Sequence, residues 1–129
     1  MKASDSIHTH HLSCRLWIAE LNFFINQLRI FEDSLELRTL ELEPAAVKKR
    51  ILFFQKAFSQ IRSEIDELKH EMHLVKMKLA ALARQAEPIL STEDQQQIEK
   101  QLPAQFSLLA KKFTELRAQY ILFEPPATS

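Results

Sequence analysis

The chain has 129 residues, and none of them is glycine. Walker-type and Rossmann-type phosphate-binding loops need glycine, because their backbone adopts positive φ or approaches a phosphate where a Cβ atom would clash. Nucleotide-binding enzymes of those two classes are therefore excluded. Turns that need positive φ must also be built from other residues.

Cysteine, net charge and long apolar runs are scarce as well. Cys14 is the single cysteine, so the chain forms no internal disulfide, which points to a reducing compartment. The 17 basic and 17 acidic residues cancel, which argues against a polyanion such as nucleic acid as a partner. No apolar run reaches the roughly 18 residues of a membrane-spanning helix, and the N-terminus lacks the apolar core of a signal peptide. We expect a cytoplasmic protein that binds neither nucleic acid nor a membrane.

Apolar residues make up 46% of the chain, and in its middle they follow a heptad pattern. From Val47 to Ile89, every position at alternating spacings of four and three is apolar. This pattern is typical of a long helix that packs on other helices in a left-handed supercoil. The positions of this seam are Val47, Ile51, Phe54, Phe58, Ile61, Ile65, Leu68, Met72, Val75, Leu79, Leu82, Ala86 and Ile89.

Two prolines separate the chain into three helical segments. The first helix is predicted over residues 8–40, and Pro44 both prevents its continuation and suits the first turn of the next helix. The second helix is predicted over residues 45–87, where Pro88 ends it. Shorter seams lie in the first helix at Cys14, Trp17, Leu21, Phe24, Leu28, Phe31 and Leu35, and in the third at Leu102, Phe106, Leu109, Phe113, Leu116, Tyr120 and Phe123.

The third helix is predicted to begin at Ser91 or Thr92, either of which can cap it, and to kink or break near Pro103. Because short connections make consecutive helices antiparallel neighbours, we predict an all-α, up-down-up antiparallel three-helix coiled-coil bundle. The predicted boundaries are residues 8–123 for a single domain, with flexible termini at residues 1–7 and 124–129.

The charge distribution supports a hairpin of the first two helices. Acidic residues gather at the end of the first helix and basic residues at the start of the second, and such pairs select register. Antiparallel pairing then places residue i of the first helix near residue about 85 − i of the second. Because acidic neighbours account for the basic run, it does not indicate a nucleic-acid patch. The opposed groups are Glu32, Asp33, Glu36, Glu41 and Glu43 on one helix and Lys48, Lys49, Arg50 and Lys56 on the other.

Histidine, cysteine and glutamate side chains offer an alternative, a metal site between the first two helices. The expected register brings His10 and Cys14 level with residues 71–75, and such groups in one layer can hold a transition metal. A di-iron bundle is not indicated, because the sequence has one Glu-x-x-His motif where two are needed. We expect solvated histidines that take up zinc or nickel adventitiously, and no cofactor. The candidate ligands of the alternative are His10, Cys14, Glu67, His70, Glu71 and His73.

Glu20 lies within the apolar arc of the first helix. A half-buried carboxyl at this position would pair with Arg62 or another basic group of the second helix, and its pKa could be raised. The sequence offers no nucleophile, second acid or oxyanion loop to accompany it. We therefore expect no enzymatic activity.

The first helix carries a second apolar stripe, about 100° from its seam. A core shared by three helices leaves much of such a stripe uncovered, and contiguous exposed apolar surface usually marks an interface, most often of a two-fold dimer. The alternative is that the third helix, bent at Pro103, folds over the stripe. The predicted interface residues, each seven apart, are Leu16, Phe23, Ile30 and Leu37.

The first two helices resemble a set of small uncharacterised bacterial helical proteins with a His-x-x-His-x-x-Trp-x-x-Glu-Leu-x-Phe opening. Cys14 stands where those proteins often have their second histidine, and Gln27 where they have an acid. The resemblance implies a helical bundle and no particular activity. It is carried by His11, Cys14, Trp17, Glu20, Leu21, Phe23, Phe24 and Phe31, and then by Ile65, Asp66, Leu68 and His70.

The sequence therefore predicts a non-enzymatic structural or protein-interaction bundle. We expect it to form a homodimer or to bind a protein partner whose identity the sequence does not reveal. The alternative function is that of a metal-binding bundle with a His/Cys/Glu site between the first two helices.

Overall fold

The computed structural model describes residues 3–124, with side chains from residue 6 onward. It is an all-α three-helix bundle, as the heptad pattern predicts, and residues 3–124 contain no strand. Helix α1 spans Ala3–Arg38 and helix α2 spans Ala45–Ala83. Helix α3 consists of an α-helical turn at Thr92–Gln96, a π-helical turn at Gln97–Gln101 and a long α-helical segment at Leu102–Phe123.

Polar contacts between the helices establish the up-down-up order. Partners from α1 and α2, and from α2 and α3, run in opposite directions along the chain, whereas partners from α1 and α3 run in the same direction. These contacts are Asn22–Lys69 and Glu32–Arg62 between α1 and α2, Lys78–Asp94 and Glu64–Lys112 between α2 and α3, and His10–Glu99 and Gln27–Arg117 between α1 and α3.

The three seams meet in one apolar core. On α2 the seam is buried without interruption from Ile51 to Leu79, and Val47 and Leu82 pack partly buried against its ends. Leu21 and Leu28 of α1 and Leu102 of α3 are fully buried against it. The core therefore follows the predicted heptad positions along most of their length. Ile18 and Ile25 of α1 are buried beside the predicted seam, whereas the last two predicted positions of the α2 seam, Ala86 and Ile89, are exposed.

Helix α1 begins at Ala3, earlier than the start predicted near His8. The reason is Ile7, which lies seven residues before Cys14, continues the seam by one heptad and is 1% exposed. Burial of this side chain holds an additional turn in the helix. The remaining residues of the predicted flexible termini, 1–2 and 125–129, lie outside the described part of the chain.

Helix α2 ends at Ala83, one turn before the end predicted at residue 87. The amide of Arg84 donates to the Ala81 carbonyl oxygen over 3.3 Å, a tighter turn that closes the helix. No residue of the described range 3–124 adopts positive φ, so the compact glycine-type helix end is not used. The chain needs a longer connection, and the last predicted seam residue, Ile89, is 75% exposed in it.

Helix α3 has its irregularity where Pro103 predicts one. Ser91 caps the helix by accepting a 3.1 Å hydrogen bond from the Asp94 amide. Pro103 has no N–H to donate to the carbonyl four residues earlier, and the backbone responds in the preceding turn. There the Leu102 amide donates to the Gln97 carbonyl oxygen, five residues back, which is the signature of a π-turn.

The register of α1 against α2 differs from the predicted one. A sum of 85 places residue 63 opposite Asn22, whereas Lys69 Nζ donates to Asn22 Oδ1 over 3.0 Å. The connection between the helices is the cause. Residues 39–44 continue past the end of α1 before α2 begins, so the first turns of α2 extend beyond the last turn of α1. Each α2 residue is therefore met by a later α1 residue than the hairpin estimate assumes, as Lys69 meets Asn22 where the estimate gives residue 16.

Substitutions on α2 test the seam. Ile65 is fully buried and Leu68 is 6% exposed, so we expect Ile65→Asp and Leu68→Asp each to cost at least about 4 kcal/mol of unfolding free energy, because each buries an unpaired charge. Ser63→Asp, on the exposed face of the same helix, is the control and should stay within about 0.5 kcal/mol. Circular dichroism melts compare the three variants. Equal destabilisation of all three would contradict the seam.

Candidate functional site

The predicted interface stripe of α1 lies at the protein surface. The exposed fractions are 61% for Leu16, 50% for Phe23, 65% for Ile30 and 68% for Leu37. We call these four residues the outer stripe. The alternative that α3 covers the stripe is wrong, since each of its side chains is at least half exposed. Leu12, which the sequence analysis missed, is 51% exposed and extends the apolar surface by one turn.

The regular spacing sets the outer stripe apart from other exposed apolar residues. Leu74 and Met77 form a short pair on α2, and Leu52 and Phe53 are neighbours near its start. None of these continues at heptad spacing along its helix. The outer stripe repeats every seven residues over about 32 Å of helix, and this length makes it a candidate for helix-to-helix contact.

The six candidate metal ligands do not gather at one point. His10 Nε2 lies 3.5 Å from Glu99 Oε1 of α3. Glu67 and Glu71 instead line an open cavity of about 210 Å³ between α2 and α3, together with Glu64 and Lys112. Among the described residues, no three histidine, cysteine, aspartate or glutamate side chains are placed to hold a metal ion.

Cys14 occupies a core position and carries no exposed surface. Burial raises the pKa of its thiol, and the charge of Lys76 opposes this shift only in part. The change in register explains why the charge that acts on Cys14 from α2 is that of Lys76. A protonated thiol near a cation is a poor ligand for a metal, because the thiolate is the binding form.

The remaining histidines of this region lie near basic groups. Burial lowers the pKa of His73, and the charges of Lys76, Lys69 and His70 lower it further. Burial also lowers the pKa of His11, with Arg15 and Lys76 adding to the effect. Both imidazoles are therefore held in the neutral form to lower pH than a free histidine. His70 is exposed, as its heptad position predicts.

The structure corrects the expectation for Glu20. Its side chain is exposed, and Arg62 pairs with Glu32 instead. Gln27, one heptad further along α1, accepts a 3.3 Å hydrogen bond from Arg117 Nη1 of α3. Glu20 therefore lacks the half-buried environment that a catalytic acid would need.

The expected contact between the acidic end of α1 and the basic start of α2 takes a different form. Arg38 Nε pairs with Glu43 Oε1 at 3.2 Å, so one acidic residue of this region is satisfied within its own connection. The Arg50 guanidinium lies over the rings of Phe53 and Phe54, 5.4 and 5.1 Å from their centroids. Among residues 6–124, no ion pair joins the acidic end of α1 to the basic run, and Arg50 stacks on aromatic rings of its own helix instead.

A polar cluster that the sequence analysis missed holds the end of α3 on α1. The Tyr120 hydroxyl donates to the Glu124 carboxylate and lies 3.3 Å from the Phe31 carbonyl oxygen. Ser34 Oγ donates to the same carboxylate over 2.5 Å. Arg38 Nη1 donates to the Phe123 carbonyl oxygen over 3.0 Å, where it satisfies one of the last acceptors of the helix. Burial, with the Glu124 hydrogen bond next, raises the pKa of Tyr120 to about 12.

Comparisons with known proteins add no identification. No model of a known protein family, no curated protein and no solved structure matches the chain. None of the helices described within residues 3–124 combines the length and apolarity needed to cross a membrane.

Titration of the single tyrosine tests the cluster at the end of α3. We expect the ultraviolet absorbance of Tyr120 to report a pKa of about 12, above the usual value of about 10. Because the folded state keeps the proton more tightly, this contribution to stability is complete below pH about 10 and is lost as the pH rises through about 12. The unfolding free energy of Tyr120→Phe should lack this part of the decline at alkaline pH. If Tyr120 of the native protein titrates with the usual tyrosine pKa of about 10, its hydroxyl is not buried as described.

Metal analysis tests the outcome for the candidate ligands. We expect protein purified without nickel-affinity chromatography to contain less than one metal ion per chain, because the candidate ligands are separated. Plasma mass spectrometry of the purified chain measures the content. One tightly bound ion per chain, lost in His10→Ala or His73→Ala, would contradict the arrangement described above.

Proposed function

We propose that this chain is a non-enzymatic, cytoplasmic interaction module, a helical bundle that self-associates through the outer stripe of α1. The single observation that carries the proposal is the exposure of four large apolar side chains at strict heptad spacing. A stripe about 32 Å long and one helix diameter of about 10 Å wide presents roughly 300 Å² of apolar surface. Patches of that size on a monomer usually serve recognition.

A second copy of the chain is the partner that this surface fits best. Two identical stripes are self-complementary about a two-fold axis, which is the commonest symmetry of small oligomers. The equal numbers of basic and acidic residues leave no net charge to repel another copy. Heptad spacing provides the knobs that pack into the holes of a second helix.

The core explains why the stripe is available for a partner. Helix α1 already buries a complete seam against α2 and α3, including Leu21, Leu28 and Leu35. The bundle is closed without the outer stripe, so exposing the stripe serves no purpose in the monomer fold. Covering the stripe with a partner would bury apolar surface that is exposed in the monomer, and this burial lowers the free energy.

Charged substitutions on the outer stripe test the proposal. We expect light scattering at tens of micromolar to give twice the chain mass of 15.1 kDa for the native protein. Phe23→Glu and Ile30→Glu should give monomers that keep their helical circular dichroism, because both residues are exposed in the bundle. Leu74→Glu is the matched control, since Leu74 on α2 is 54% exposed and lies outside the stripe.

The control and the native mass together decide the outcome. A native protein that is monomeric at these concentrations contradicts self-association. A dimer that persists in Phe23→Glu and Ile30→Glu but is lost in Leu74→Glu would place the contact on α2 instead.

A further inference from the structure

The residues between those of the outer stripe complete a second heptad seam on α1. Leu12, Ala19, Asn26 and Asp33 are all exposed and precede the stripe residues by four positions. Together the two sets alternate at spacings of four and three, as the buried seam of the same helix does. The stripe residues occupy one core position of this outer heptad, and the four intervening residues occupy the other.

The intervening residues disfavour a parallel pair of α1 helices. In a parallel pair each core residue meets its own copy across the axis, so the two Asp33 carboxylates would face each other. Like charges placed directly opposite are destabilising. An antiparallel pair instead sets Asp33 against Leu16 of the second copy, and Ala19 against Ile30.

The flanks of the outer seam favour the antiparallel pair as well. Arg15, Asn22, Arg29 and Glu36 lie on one flank, all exposed. Antiparallel pairing brings the second copy's Glu36 opposite Arg15. The second copy's Asp33 lies opposite Leu16, the next residue, and is therefore also near the Arg15 guanidinium. The two-fold axis repeats the contact, so each dimer gains it twice. A parallel pair would offer Arg15 only Glu20 of the second copy and would keep the two Asp33 carboxylates opposed.

These charged groups are available for such a contact. The ion pairs within the described residues involve His10, Arg38, Arg62, Lys78 and Lys112 with their partners, and none of them uses Arg15, Asp33 or Glu36. The other flank carries Ser13, Glu20, Gln27 and Ser34, so its self-pairing in an antiparallel dimer opposes Glu20 to Gln27 and creates no like-charge contact.

Building on the self-association proposed above, we infer that two copies meet antiparallel along α1, with Arg15 of each copy held between Asp33 and Glu36 of the other. The bundles then extend to opposite sides of a two-helix contact centred between Phe23 and Asn26. The apolar stripe supplies the attraction, and the charged ends determine direction and register.

Disulfide cross-linking tests the orientation. Under the antiparallel arrangement, Ala19→Cys mixed with Ile30→Cys forms a cross-linked pair, whereas Ala19→Cys alone does not, because its own copy lies about 16 Å away along the axis. The native protein is the control, since Cys14 is buried. Self-cross-linking of Ala19→Cys would overturn the antiparallel arrangement and leave self-association standing. A dimer by light scattering that cross-links in neither sample would also overturn the inferred register.

Charge reversal supplies a second test. The substituted residues are exposed, so the variants should keep the fold. Arg15→Glu and Glu36→Arg should each raise the dimer dissociation constant about tenfold, and the double variant should restore most of the native affinity. Lys56→Glu, exposed on α2, is the control with the same change of charge as Arg15→Glu and should leave the constant unchanged. Failure of the double variant to recover affinity would overturn the Arg15 to Glu36 pairing. A native protein that stays monomeric would instead defeat the proposed function itself.

Discussion

Burial of the α2 seam between α1 and α3 is the constraint on which the rest of the structure depends. From Ile51 to Leu79 the apolar positions face inward without interruption, and their length sets how much of the other two helices must align with them. Ile7 of α1 and Tyr120 of α3 are buried near opposite ends of this core. Hydrogen bonds at Tyr120 and Arg38 then fix the end of α3, beside the partly buried Phe123 ring.

Closure of this core determines what remains for function. Helices α2 and α3 pack on the inner seam of α1 and leave its opposite face uncovered. Among residues 3–124, the outer stripe on that face is the one long exposed apolar surface at heptad spacing. The candidate metal ligands, by contrast, depend on register, and the register carries them apart. We therefore propose self-association along α1 as the use of the molecule.

Periodic features were predicted from the sequence more successfully than distances across the bundle. The seams, the exposed outer stripe and the Ser91 cap follow from local spacing, which sequence displays directly. The α1 to α2 register was wrong because it depends on how residues 39–44 cross the end of the bundle, and a glycine-free connection has no standard length. The error moved Cys14 towards Lys76 and Arg62 towards Glu32. The Tyr120 cluster was missed because its partners, Ser34 and Glu124, lie far apart in sequence.

Protection of the outer stripe in the unmodified protein tests the central claim most directly. Hydroxyl-radical footprinting at low and high protein concentration reports the exposure of individual side chains, and Leu52, Leu74 and Met77 of α2 provide internal references. If two copies meet along α1, Leu16, Phe23, Ile30 and Leu37 become protected as the protein concentration rises, while the α2 references stay reactive. Equal reactivity of the stripe at both concentrations, or protection of the α2 residues alone, would contradict self-association along α1.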